Sequence, residues 1–68
     1  MVAIKLSELK KGEYFTRKPV EYPTDHQVLI RGEYDRTTKK YENPHFDDAW
    51  SNGVMLKGST VVYTGFTF

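Results

Sequence analysis

The chain contains no cysteine, which excludes disulfides and any cysteine-ligated zinc or iron–sulfur centre. No apolar run approaches the roughly 20 residues of a membrane-spanning helix. The opening Met1-Val2-Ala3-Ile4-Lys5 is too short for the apolar region of a signal peptide, so the expectation is a cytoplasmic protein with no membrane partner. The five glycines stand singly, so a glycine-rich phosphate loop is missing and nucleotide binding of the P-loop or dinucleotide kind is excluded. Ser7, Ser51 and Ser59 sit at turn or cap signals, and none lies in a nucleophile elbow. There is no internal repeat, low-complexity tract or linker.

What remains is one domain of 68 residues, 1–68, small enough that its core must be thin. Chains of this size often draw further stability from metals or self-association once disulfides are ruled out. The ten aromatic residues, 15% of the chain, compensate in part, because rings supply large buried areas. A homo-oligomer is expected, since the C-terminal strand carries apolar groups on both faces: Val62, Thr64, Phe66 and Phe68 on one, Val61 and Tyr63 on the other. Net charge is +1, with nine Lys/Arg against six Asp/Glu in residues 1–40 and one against three in residues 41–68. Such a distribution permits an anionic partner without requiring one.

Read along the chain, the pattern is that of a mainly β protein. Leu6 to Gly12 suits one N-terminal helical turn, with Ser7 as cap, Leu6 and Leu9 facing inward and Gly12 as a left-handed stop. Glu13 to Lys18 is strand-prone and stops at Pro19. Alternation from Val28 to Tyr34 puts Val28, Ile30, Gly32 and Tyr34 on the better core face. Gly32 leaves a gap there, a sign of a bend or of close backbone approach. If Arg36 to Lys39 form a loop, Tyr34 stands opposite Tyr41 and Asp35 opposite Lys40, while Glu33 meets Glu42 and needs a bulge or a partner to separate the carboxylates. Pro44 lacks an N–H and marks residues 39–46 as an edge strand. Asp47 to Gly53 is turn-rich; Val54 to Leu56 and Ser59 to Phe68 are strands joined by a Lys57-Gly58 turn in which Gly58 is expected at positive φ. The sum is a small five-stranded barrel or strongly curled antiparallel sheet, SH3-like in kind.

Leu6 to Phe15, Arg31 to Arg36, Phe46-Asp47-Asp48 and the ending from Leu56-Lys57-Gly58 to Val62-Tyr63 resemble a group of short uncharacterised proteins of gut bacteria and their phages. The resemblance spans nearly the whole chain and rests on turns, glycines and alternating strands. It implies a compact β fold and carries over no catalytic residue. The phage association implies a role in binding a host nucleotide, nucleic acid or protein.

Two imidazole and carboxylate groupings, Asp25-His26 and His45 with Asp47 and Asp48, have the atoms for metal binding or base catalysis. Their spacing matches no ligand signature, and acidic pairs after a strand commonly cap turn amides. Neither a metal site, a cofactor nor an enzyme activity is therefore expected. The ligand-binding candidates are Tyr14, Arg17, Arg31, Tyr34, Arg36, Lys39, Lys40 and Tyr41, with Lys18 beside them. Rings stack on bases while Arg and Lys attract phosphate, so the mixture suits single-stranded nucleic acid or a nucleotide. The plainer account is that the tyrosines clamp a hairpin and the cations keep its edges unpaired. A non-catalytic binding module is the leading expectation; the alternative is a protein-interaction or phage-type inhibitor module that meets a host protein through the Pro44 edge and the aromatic C-terminus.

Overall fold

In the computed structural model, residues 1–47 and 53–67 are described. The expectations that fall on Asp48 to Asn52 and on Phe68 lie outside them. Among the described residues there are seven short strands: β1 (Val2–Lys5), β2 (Tyr14–Thr16), β3 (Val28–Ile30), β4 (Tyr34–Asp35), β5 (Lys40–Asn43), β6 (Val54–Leu56) and β7 (Val61–Thr64). They form two antiparallel sheets, one in the order β1-β7-β2-β3 and one in the order β4-β5-β6. The mainly β class is as the alternation predicts. The expected count of five strands is replaced by seven in two sheets, with no closed barrel among the described residues.

The N-terminal turn forms, in a tighter and shorter shape than expected. It is a 3-10 turn over Leu6–Glu8 entered from Lys5, whose N–H donates to Glu8 Oε2 at 3.3 Å, so the cap is not Ser7. Leu6 and Leu9 are buried together, and with Phe15, Leu29 and Val62 they make the core cluster. The helical turn ends at Leu9 in extended conformation, so Gly12 is not its stop; the chain turns again between Lys10 and Glu13, and there Gly12 takes its left-handed φ of 93°. Gly12 and Glu13 both face Arg31: the Gly12 N–H donates to Arg31 O at 2.8 Å and the Arg31 N–H to Glu13 O at 2.9 Å. Two residues opposite one, the first a left-handed glycine, is a β-bulge that ends the β2–β3 ladder and turns the chain aside.

That bulge explains why Val28 to Tyr34 is not one strand. β3 stops at Ile30 and β4 begins at Tyr34, in the other sheet. Gly32 lies between them, and a Cβ placed there would stand 1.9 Å from the Glu42 carbonyl oxygen. The gap expected at Gly32 is thus filled by backbone of β5. The face assignment on β3 also changes. Leu29, paired with Phe15, points into the main cluster, while Val28 is fully buried on the opposite face beside Thr16.

The second passage between sheets is at Pro44. β5 is the middle strand of its sheet, flanked by β4 and β6, so it is not the edge that Pro44 suggested. Proline's missing donor costs nothing here, because the ladder needs only its carbonyl: Ile30 N–H donates to Pro44 O at 2.9 Å, and Phe46 N–H to Val28 O at 3.0 Å. The chain after β5 therefore seals the outer edge of β3 and joins the two sheets. Asn43, just before the proline, is fully buried, its Nδ2 donating to Tyr41 O and Val54 O, each at 3.0 Å.

The turn after β6 closes with Thr60 N–H on Lys57 O at 3.0 Å. Positive φ among the glycines occurs only at Gly12 and Gly65, so the left-handed conformation expected of Gly58 is absent. Position 58 is small for a different reason: a Cβ there would come within 3.1 Å of both Ser7 Cβ and Tyr41 Cε2. The turn carries β7 out of the β5–β6 sheet to lie between β1 and β2, where Val62 meets the core and Val61 is exposed. Among the described residues no helix is long and apolar enough to cross a membrane.

Candidate ligand-binding site

The hairpin of β4 and β5 has the register read from the sequence, Tyr34 opposite Tyr41 and Asp35 opposite Lys40. Its four-residue loop is held at one end by Asp35 Oδ1, which accepts the Thr37 N–H at 2.9 Å, and at the other by Lys39 in the left-handed region at φ 58°. Asp at the start of such a loop folds it locally, because its short carboxylate reaches the backbone two residues on. Arg36 and Lys39 are exposed as a result, and Lys40 is half-buried.

Two tilted rings and a guanidinium pack together beside this tip. Tyr34 and Tyr41 stand 4.9 Å apart at 56°, and Arg31 Cζ lies 4.3 Å from the Tyr41 ring centre, a cation over a π face. Arg31 Nη1 also donates to Gly32 O at 2.9 Å, which fixes the guanidinium where the chain changes sheets. Tyr41 is partly buried against the core, whereas Tyr34 is 45% exposed. The cluster therefore has an anchored inner ring and an accessible outer one.

The like-charge meeting of Glu33 and Glu42 is present, the Glu42 N–H donating to Glu33 O at 2.9 Å. It is resolved by a partner and not by a bulge: Lys11 Nζ, arriving from the turn before β2, pairs with Glu33 Oε1. That hydrogen bond, together with the lysine's charge, lowers the Glu33 pKa below the ordinary glutamate value. With Glu33 so neutralised, Arg31, Arg36, Lys39 and Lys40 face Asp35 and Glu42 on the hairpin, a net positive surface.

Six of the eight candidate residues thus share the hairpin: Arg31, Tyr34 and Tyr41 in the cluster, Arg36, Lys39 and Lys40 around the loop. The other two do not. Tyr14 packs edge-on against Phe46 at 5.4 Å, and Arg17 lines a groove of about 460 Å³ that no hairpin residue borders. His26, Gln27 and His45 share this groove. Their approach was beyond sequence reasoning because it depends on the seam of β3 with residues 44–46. Leu29 bridges to His45, so the turn before β3 comes alongside Asp47, and His26 Nδ1 pairs with Asp47 Oδ2. The signal was present only as two separate imidazole and carboxylate groupings. Among the described residues no cluster of three or more His, Asp or Glu side chains could hold a metal ion.

In comparisons with known proteins, no family model, no curated protein and no solved structure matches the chain.

Proposed function

We propose that the protein is a non-catalytic binding module whose hairpin grips a phosphate-bearing ligand, a nucleotide or a short single strand of nucleic acid. The observation that carries this reading is the cluster of Arg31 over the Tyr41 ring and Tyr41 packed at a tilt against Tyr34, next to loop cations that make no ion pair among the described residues. A base lies on the open Tyr34 ring, which Tyr41 holds in place, while Arg36 and Lys40 attract the phosphates. The ring order is favourable because the immobile side chain has already given up its rotamer freedom. The two sheets, joined through residues 44–46, form a curled shell that we read as an open relative of the small SH3-like barrels, a shape that offers a strand face to an extended ligand.

The test is fluorescence anisotropy with a labelled oligothymidylate at low and high salt. Binding should weaken with salt, because phosphate contacts release counterions. Arg36→Ala with Lys40→Ala should weaken it further at low salt, and Tyr41→Phe, which keeps the ring, should bind nearly as the parent does. Unchanged affinity in the charge variant removes the hairpin from the site.

A second reading, an interface with a host protein or with another copy of this chain, rests on β1. It is an outer edge of the four-stranded sheet, with its first residue Val2 and the preceding Met1 half exposed. The Pro44 segment cannot serve that role, since its backbone is engaged by β3. A scattering mass of 7.9 kDa over a wide concentration range would remove the homo-oligomer.

A further inference from the structure

The groove beside β2 and β3 has its own chemistry. Its volume, about 460 Å³, lies within the range of small-molecule sites and is too small for a macromolecule to enter. Val20, Leu29 and Val54 supply an apolar lining contributed by the loop after β2, by β3 and by β6. Arg17 and Lys18 border it where the chain leaves β2, and neither makes an ion pair among the described residues. Asp47 pairs with His26, one of the lining residues. The groove therefore combines two cations that form no ion pair among the described residues with His45, Gln27 and an apolar lining.

We propose that this groove is a second binding site, for a small phosphomonoester with an apolar or aromatic body. Two adjacent cations match a dianion better than a single carboxylate, and a guanidinium presents paired donors to phosphate oxygens. The apolar lining takes the body of the ligand and separates it from free phosphate. Gln27 and His45 add hydrogen-bonding side chains that orient the head group. Thr16 positions the cations: its buried Oγ1 donates to Lys18 O at 2.7 Å, which holds the backbone of the Arg17-Lys18 pair against the end of the sheet. Because that bond uses the lysine's carbonyl, replacing either cationic side chain leaves it intact. The site is independent of the hairpin, whose Arg36, Lys39 and Lys40 do not line it.

The experiment is an amide chemical-shift titration of the full chain with phenyl phosphate, inorganic phosphate and benzyl alcohol as separate probes. Phenyl phosphate should shift the amides of Arg17, Lys18, Gln27 and His45 and bind at least about tenfold more tightly than either fragment probe. Read at the groove amides, Arg17→Gln with Lys18→Gln should lose about tenfold or more of that affinity, while Arg36→Ala with Lys40→Ala, which removes only hairpin cations, leaves the titration of those same amides unchanged. Unperturbed dispersion of the amide spectrum certifies that both variants are folded. The proposal is overturned if phenyl phosphate shifts no groove amide, if it binds the Arg17 and Lys18 variant equally well, or if inorganic phosphate binds as tightly as phenyl phosphate. Loss of the groove-amide shifts in the hairpin variant alone would also overturn it and would assign the phosphate ester to the hairpin.

Discussion

Replacing Gly32 by alanine tests the crossing of the two sheets most directly. A Cβ at this position would lie 1.9 Å from the Glu42 carbonyl oxygen, 3.1 Å from its carbon and 3.3 Å from Pro44 Cδ. An ordinary contact begins near 3.4 Å, so the backbones must separate by about 1.5 Å. No side-chain rotation relieves this, because the obstructing atom is main chain. The displaced residue is Glu42, which donates to Glu33 O and pairs with Met55 on its other side, so the strain reaches both ladders of the three-stranded sheet. Overpacking of this kind costs about 1–3 kcal/mol and a lost ladder hydrogen bond about 1 kcal/mol more. A total near 3 kcal/mol is large beside the roughly 3–10 kcal/mol expected for a domain of this length, and corresponds to a melting temperature lower by about 12–24 °C. Thermal unfolding followed by circular dichroism measures it. Gly12→Ala is the comparison: nothing lies within 4 Å of its Cβ, and only the backbone conformation at φ 93° resists, so its cost should stay near 1 kcal/mol. If Gly32→Ala unfolded cooperatively within about 3 °C of the parent, the close approach of residue 32 to β5 would be refuted.

The remaining expectations concern local features of the same hairpin and seam. Asn43→Ala should cost about 2 kcal/mol in chemical denaturation, and Asn43→Asp more than that, because a carboxylate would face the Tyr41 and Val54 carbonyls that the amide now satisfies; equal stability of the two variants would contradict the assigned bonds. Lys39→Gly should raise stability slightly, by about 0.5 kcal/mol of relieved left-handed strain after the entropy cost of glycine, and with it the melting temperature. A fall in melting temperature would show that the loop is not built on that residue. The Glu33 carboxyl, held below its ordinary pKa by Lys11, contributes stability that is fully present above the unfolded glutamate value and is lost as pH falls through the lower folded one. An NMR titration should therefore place the Glu33 midpoint below that of an unpaired glutamate, and Lys11→Met should move it upward.

What the sequence by itself determined is local. The Tyr34–Tyr41 and Asp35–Lys40 register follows from a four-residue loop between two strand-prone runs, and Asp35 holds that loop through a bond spanning two residues. The left-handed conformation of Gly12, though at a bulge and not at the end of the helical turn, Leu6 and Leu9 as an inward pair, and Gly32 as a point of close approach were legible for the same reason. Each is dictated by sterics or hydrogen bonds within a few residues, or by the pattern of polarity along one segment. The tertiary structure decided which strands meet. Alternation shows which side chains share a face, and it cannot show that the run from Val28 to Tyr34 serves two sheets, or that β5 is enclosed by β4 and β6. It also cannot anticipate that Gly58 is kept small by Ser7 and Tyr41, residues far from it in the chain. The groove belongs to this second class: Arg17, His26, His45 and Val54 come from four separate segments, and only the seam of β3 with residues 44–46 brings them to one cavity. Strand pairing is settled by burial of the whole cluster around Phe15, a collective free energy that no single segment carries in its own pattern.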